Sequence, residues 1–174
     1  MELDLQKAVR EMPGGHQMNG GAIISDCGAY RYLLWRRWPS LFPERIMNFV
    51  MLNPSTADGM DDDPTIRRCI GFAEREGCNG IRVLNVFAYR TPYPKELLRQ
   101  PDPIGPENDK YLQSCRGGEL VVLAWGAGAP IDRTRDVTAM LAWLPLWCFG
   151  KNTDGSPKHP LYLPKNAPLV PFGV

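Results

Sequence analysis

The chain has little histidine, two in 174 residues, and its five cysteines never form a Cys-x-x-Cys pair. Cys27, Cys69, Cys78, Cys115 and Cys148 are odd in number and scattered. That spacing argues against a zinc or iron–sulfur site, and reads as reduced thiols in a cytoplasmic protein. An excess of charge of one sign is also missing, since 20 Lys and Arg face 19 Asp and Glu for a net charge of +1. A nucleic-acid partner would therefore need a local basic patch. No apolar run approaches the ~20 residues of a membrane span. The opening MELDLQKAVREM carries no signal-peptide pattern. Neither GxxxxGK[ST] nor GxGxxG follows the first buried strand, so nucleoside-triphosphate and dinucleotide folds lack their phosphate loops. Nothing calls for a cofactor, a metal, a membrane or an obligate protein partner.

What is present is ordinary soluble-domain composition, 44% hydrophobic and 22% charged. The length suits one domain over residues 1–174, with a loose arm over 1–20 that ends in GGHQMNGG. AIISDCGAYRYLLWRRW reads as a hairpin turning at Asp26-Cys27-Gly28. Four apolar runs read as buried strands: RIMNFVML, GIRVLNVFAYR, ELVVLAWG and the short PLWCFG. Between them lie helix signals. Asp63 is placed to cap a helix that Pro64 opens and Gly77 closes, with Ile66, Ile70 and Ala73 on one face. PENDKYLQSCR and Asp132 to Leu144 read as two more helices, with a short helix near Lys95 to Arg99. Strands alternating with helices predict an α/β fold, a three-layer sandwich around a central, mainly parallel four-stranded sheet.

Three of the buried strands end in polar or glycine punctuation: LNPSTAD, LNVFAYR and AWGAGA. In a parallel sheet those endings share the carboxyl edge, where α/β proteins keep their ligands. The tail KHPLYLP follows the fourth strand and can reach the same edge. Asn53, Asn85, Trp125 and His159 are thereby expected around one crevice.

Each has a plain reading beside the chemical one. Asn53 before Pro54 suits a turn satisfying its own backbone, or an amide that orients a water. Asp58, Asp61, Asp62 and Asp63 suit a solvated loop with one helix cap, or supply a general base, with Asp58 nearest Asn53. A buried Asn85 needs hydrogen bonds, either within the protein or from a base edge matched by its paired donor and acceptor. His159 lies between Lys158 and Pro160, off any apolar face, and a neutral imidazole there can stabilise charge developing on a leaving group. Arg67, Arg68, Arg90, Arg133, Lys151, Lys158 and Lys165 are each ordinary surface charge, or together a phosphate-binding face.

In order, "MLNPST", "LNVFAYR", "LAWG" and "HPLYLP" resemble the motifs of the uracil-DNA glycosylase superfamily. The same pattern is similar to a family found in bacteria and their phages. The resemblance covers roughly residues 46–165. It implies that Asn53, with Asp58, positions the attacking water and that His159 meets the departing base. It implies that Asn85 reads a flipped pyrimidine in a pocket completed by Pro54, Ser55 and Phe87. Arg67, Arg68, Lys158, Leu161 and Tyr162 would contact DNA. Met51 and Ser55 stand where the superfamily has glycines, and Leu161 where serine is usual. The small Ser55-Thr56-Ala57 favours a roomy pocket and a modified pyrimidine, such as phage genomes carry, so a defence role is expected. Two rivals remain: a hydrolase or transferase of free nucleosides or nucleotides, and a non-catalytic nucleic-acid-binding module.

Overall fold

Apolar runs without alternation demand cover on both faces, and the chain supplies it. The structure, a computed structural model, describes residues 19–55 and 62–173. Strand β3 (Ile46–Met51) is buried at all six positions, and β4 (Gly80–Asn85) and β5 (Leu120–Leu123) nearly so. β3 pairs in parallel with β4 on one side and β5 on the other, and β5 pairs in parallel with β6 (Leu146–Cys148). Antiparallel strands extend both edges. β1 (Asn19–Ile24) and β2 (Arg31–Arg37) continue beyond β4, and β7 (Val170–Pro171) beyond β6.

The result is an α/β protein with a mixed seven-stranded sheet in the order β1-β2-β4-β3-β5-β6-β7, rather than a sheet of four. The difference lies at the edges. The hairpin docks its second strand on β4 through Leu34 opposite Val83, and two residues of the proline-rich tail suffice for β7. Asn19 and Gly20, expected in the arm, already belong to β1. The glycines there make room for a neighbour: a Cβ on Gly21 would meet the Trp35 ring at 2.4 Å.

Helices cover both faces. Helix α1 (Pro64–Arg75) packs Ile66, Cys69, Ile70 and Ala73 against Met47, Phe49, Ile81 and Val83. Its start is the one the sequence dictates. Asp63 Oδ1 accepts from the Ile66 amide at 2.8 Å with Pro64 in the first turn, a cap worth about 1 kcal/mol. Gly77, at φ +72°, carries the chain out of the helix. Phe72 stacks on Phe149 at 4.3 Å between centroids. On the opposite face, α2 (Asn108–Leu112) and α3 (Ile131–Leu141) bring Tyr111, Leu112, Val137 and Leu141 onto Val50, Leu84 and Val121.

Two helices are shorter than expected. In α2, Asn108 spends its amide on the Asn85 and Val86 carbonyls at 2.9 and 3.2 Å, which ties the start of the helix to the sheet. α3 stops before Leu144, whose amide closes a turn on Leu141 at 2.9 Å. Pro145 follows, and the residue before a proline is pushed out of helical conformation. Among the described residues no helix is long and apolar enough to cross a membrane.

Candidate active-site cleft

Beyond the end of β3 the chain runs through Leu52 and turns at Asn53-Pro54. The turn is held from across the cleft edge. The Asn53 Nδ2 group donates to the Thr91 carbonyl at 2.8 Å and to the Pro54 carbonyl at 3.0 Å. Thr91 donates its own amide to Pro54 at 3.2 Å. Both amide hydrogens of Asn53 are thus used, the side-chain plane is fixed, and Oδ1 is left with acceptor capacity.

His159 arrives from the other end of the chain. Beyond β6 the backbone folds on itself, with Lys151 bridged to Pro157 and the Lys158 amide bonded to Gly150 at 3.0 Å. Gly126, just past β5, donates its amide to Pro157 at 3.0 Å and so clamps this loop to the sheet edge. A side chain at Gly126 would be strained at φ +83° and would place its Cβ 3.4 Å from that of His159. The His159 Nδ1 accepts from the Leu161 amide at 3.3 Å. A ring nitrogen that accepts carries no proton, so the neutral imidazole holds its hydrogen on Nε2. Burial lowers the His159 pKa below the ordinary 6.5, and the Asp63 carboxylate opposes that shift. At neutral pH the residue is therefore an uncharged hydrogen-bond donor.

These two residues line one cleft of about 620 Å³. Met51 and Leu52 lie along it, with Trp125 from the end of β5, Asn152 and Lys158 from the loop after β6, and Tyr162. Trp125 is buried, braced edge-on by Phe172 at 6.2 Å. Tyr162 is 84% exposed and projects into solvent, its ring 6.1 Å from that of His159. A fixed acceptor, a fixed neutral donor, one ammonium and an indole in one concave space can hold a planar polar ligand, polarise it and present a water to it.

The remaining expected residues are distributed as follows. Asn85 is 1% exposed and lies beside the cleft rather than on its wall. Its register partner is Met51, a lining residue on the same sheet face. The Asn85 Nδ2 is buried without a hydrogen-bond partner. Ser55 donates its hydroxyl to Asp63 Oδ2 at 3.0 Å, so Asp63 is taken up by Ser55 and the helix cap. Pro54 contributes its carbonyl to Asn53 and Thr91. Phe87 is 3% exposed and belongs to the core with Leu97 and Tyr111; it does not line the cleft, and its amide donates to the Leu52 carbonyl at 2.9 Å. Leu161 does not line the cleft, but its amide is the group that sets the His159 tautomer. Lys158 and Tyr162 line it, whereas Arg67 and Arg68 line a separate groove on α1. Asp58 lies outside the described residues.

Pro94 and Asn152 are cleft residues that sequence reasoning passed over. Asn152 had a signal, since the polar KNTDG turn follows the fourth apolar run at the carboxyl edge. Pro94 had none, because it reaches the cleft from a connection that carries no motif. The five cysteines are free thiols, four of them buried. Among the described residues no group of three or more His, Cys, Asp or Glu is placed to hold a metal ion.

No curated protein and no solved structure matches this chain. Residues 31–161, which span the cleft from β2 to the loop of His159, match the family described as "Protein of unknown function (DUF1643)", and the chain belongs to that family.

Proposed function

We propose that this chain is a DNA glycosylase that hydrolyses the N-glycosidic bond of a flipped, modified pyrimidine and leaves an abasic site. The observation that carries the reading is the pairing of Asn53 and His159 in one cleft, each pinned by backbone bonds so that a single functional atom remains. Breaking the bond needs a water at the sugar carbon and charge stabilisation at the base. Asn53 Oδ1 accepts a hydrogen bond from the water and aims its oxygen at that carbon. As the carbon–nitrogen bond breaks, its electron pair goes to the base, and the His159 Nε2–H donates to the base oxygen that gathers the charge. The water oxygen bonds to the sugar carbon and gives its proton to solvent, and the base anion is protonated after release. Trp125 offers a face for the ring, and Lys158 a cation for a flanking phosphate.

Asn85 deepens the reading. A buried amide donor without a partner costs ~1–3 kcal/mol, and a donor kept in that state one residue from the cleft wall suits a ligand acceptor. The fold proposal follows the same line. Neighbouring parallel pairs joining β4, β3, β5 and β6, with helices on both faces, are compatible with the sandwich of uracil-DNA glycosylases. Cytoplasmic action on invading modified DNA is part of this reading.

A second reading, hydrolysis or transfer on free nucleosides or nucleotides, is favoured by one fact: among the described residues Lys158 is the only cation lining the cleft. One experiment separates the two. Oligonucleotides carrying a panel of modified pyrimidines, and the matching free nucleosides, are incubated with the protein. Abasic sites are detected by alkaline strand cleavage, and released bases by chromatography. Base release from oligonucleotides supports the glycosylase, release from nucleosides alone supports the second reading, and release from neither removes both.

A further inference from the structure

The outer face of α1 carries a second concavity of about 410 Å³, lined by Arg67, Arg68, Gly71, Phe72, Arg75 and Lys165. Its guanidinium groups are oriented chiefly by backbone carbonyls. Arg67 donates to the Asp62 carbonyl, Arg68 to that of Leu163, and Arg75 to that of Lys165 at 2.8 Å. A carbonyl fixes a guanidinium without cancelling its charge. Among the described residues, Arg75 is the one of these four cations paired with a carboxylate, Glu76 at 2.7 Å. Arg68 and Arg75 also lie over the Phe72 ring, at 5.3 and 5.1 Å from its centroid, which holds both against the groove floor. Phe72 itself is 2% exposed and supports the arginines rather than offering a stacking surface. In a chain of net charge +1 this is a concentrated cationic strip. From Arg67 to Arg75 it runs roughly 12 Å along the helix, at 1.5 Å per residue.

The strip is joined to the cleft. The Leu163 carbonyl is held by Arg68 in the groove, and Leu163 is a cleft residue. The segment that carries His159 and Tyr162 therefore separates the two concavities.

We propose that the α1 groove binds successive backbone phosphates of the nucleic-acid strand whose target nucleotide occupies the cleft. This rests on the nucleic-acid substrate of the reading above. It adds Arg75, Lys165 and the Phe72 support, and it fixes the side on which the strand leaves, past Leu163 and over α1. Guanidinium edges and an ammonium spaced along a helix match phosphate oxygens, and contacts of that kind contribute affinity without sequence preference.

The test is the salt dependence of binding to a short fluorescent single-stranded oligonucleotide, measured by anisotropy. Arg67 and Lys165 are both exposed, so the Arg67→Gln, Lys165→Gln double variant keeps the core. Each lost phosphate contact lowers the slope of log affinity against log salt by ~0.7, so a fall of about 1.4 is expected at an unchanged melting temperature. Arg135→Gln, on α3 and 72% exposed at the side chain, serves as the control and leaves the slope unchanged. An unaltered slope in the double variant overturns the groove, as does a wild-type protein that binds no oligonucleotide at low salt. Groove-dependent binding without base release keeps the groove and removes the glycosylase reading.

Discussion

The cleft and the α1 groove are both built from side chains pinned to the backbone, but they leave different things exposed. In the cleft, Asn53 gives away both amide hydrogens and keeps an oxygen, while His159 uses Nδ1 as an acceptor and keeps the Nε2 hydrogen. In the groove, Arg67 and Arg68 are steadied by carbonyls, which leave their charge uncancelled, while Arg75 is shared between the Lys165 carbonyl and the Glu76 carboxylate. Single directed atoms suit a reaction, because they act where charge develops. Undirected positive charge suits attraction, because it acts over a Debye length and is screened by salt. The contrast predicts that damage to the cleft appears in rate and damage to the groove in affinity.

The strongest way to break that division is His159→Ala. It is expected to slow the single-turnover step by ~10²–10³-fold, the scale of losing one preorganised donor, with oligonucleotide affinity unchanged. A variant that binds poorly yet turns over at the normal saturated rate would falsify the donor role. Next is Asn53→Ala, expected to cost ~100-fold in the same assay. Its melting temperature sharpens the result: the Thr91 and Pro54 carbonyls that lose a donor belong to buried residues, so a loss of ~1–3 kcal/mol in stability is expected beside the lost rate, and rates are compared at equal folded fraction. A full-rate, fully folded Asn53→Ala leaves the asparagine as a turn residue only.

Asn85 tests the border between the two kinds of role. Asn85→Leu removes a buried donor that has no partner, and it should stabilise the fold by about 1 kcal/mol, or ~2–4 °C in melting temperature. Discrimination between pyrimidines should fall in the same variant. A loss of stability instead would mean that the amide serves an internal network.

The smallest effect concerns pH. The His159 pKa is lowered in the native state, so the unfolded chain takes up the proton more readily. The residue's contribution to stability is complete above about pH 6.5 and is lost as pH falls through the native pKa below it. Activity that needs the neutral donor should fall over the same acidic window, and no His159-linked loss of rate is expected on raising the pH from 7 to 8. A rate that rises on acidification would assign the histidine to its charged form.

How much of this was legible depended on range. The α1 start was readable because the Asp63 cap, Pro64 and the apolar spacing act within one turn. The strand endings were readable because a parallel sheet gathers them at one edge, and Asn53, Trp125 and His159 do line one cleft. Asn85 was displaced sideways by one strand, because its register partner Met51 on β3 takes the wall and the amide lies beside it on β4. Phe87 is core, because the elements that bury it, the short helix with Leu97 and α2 with Tyr111, come later in the chain and no local pattern announces their docking. Separation of Arg67 and Arg68 from the cleft depends on where the tail crosses α1, and no local pattern encodes that crossing.

The covalent distance between the two halves of the cleft has a consequence for synthesis. Asn53 and His159 are 106 positions apart (159 − 53), and between them lie α1, β4, β5, α3 and β6. Chains emerge from the ribosome N-terminus first, so Asn53 can be seated between β4 and β5 while His159 is still unmade. A nascent or truncated chain that lacks the His159 segment thus carries only one side of the cleft. On the glycosylase reading proposed above, the chemistry needs the Gly126–Pro157 clamp to bring His159 to the sheet edge, so it begins only after the segment that carries His159 has been made.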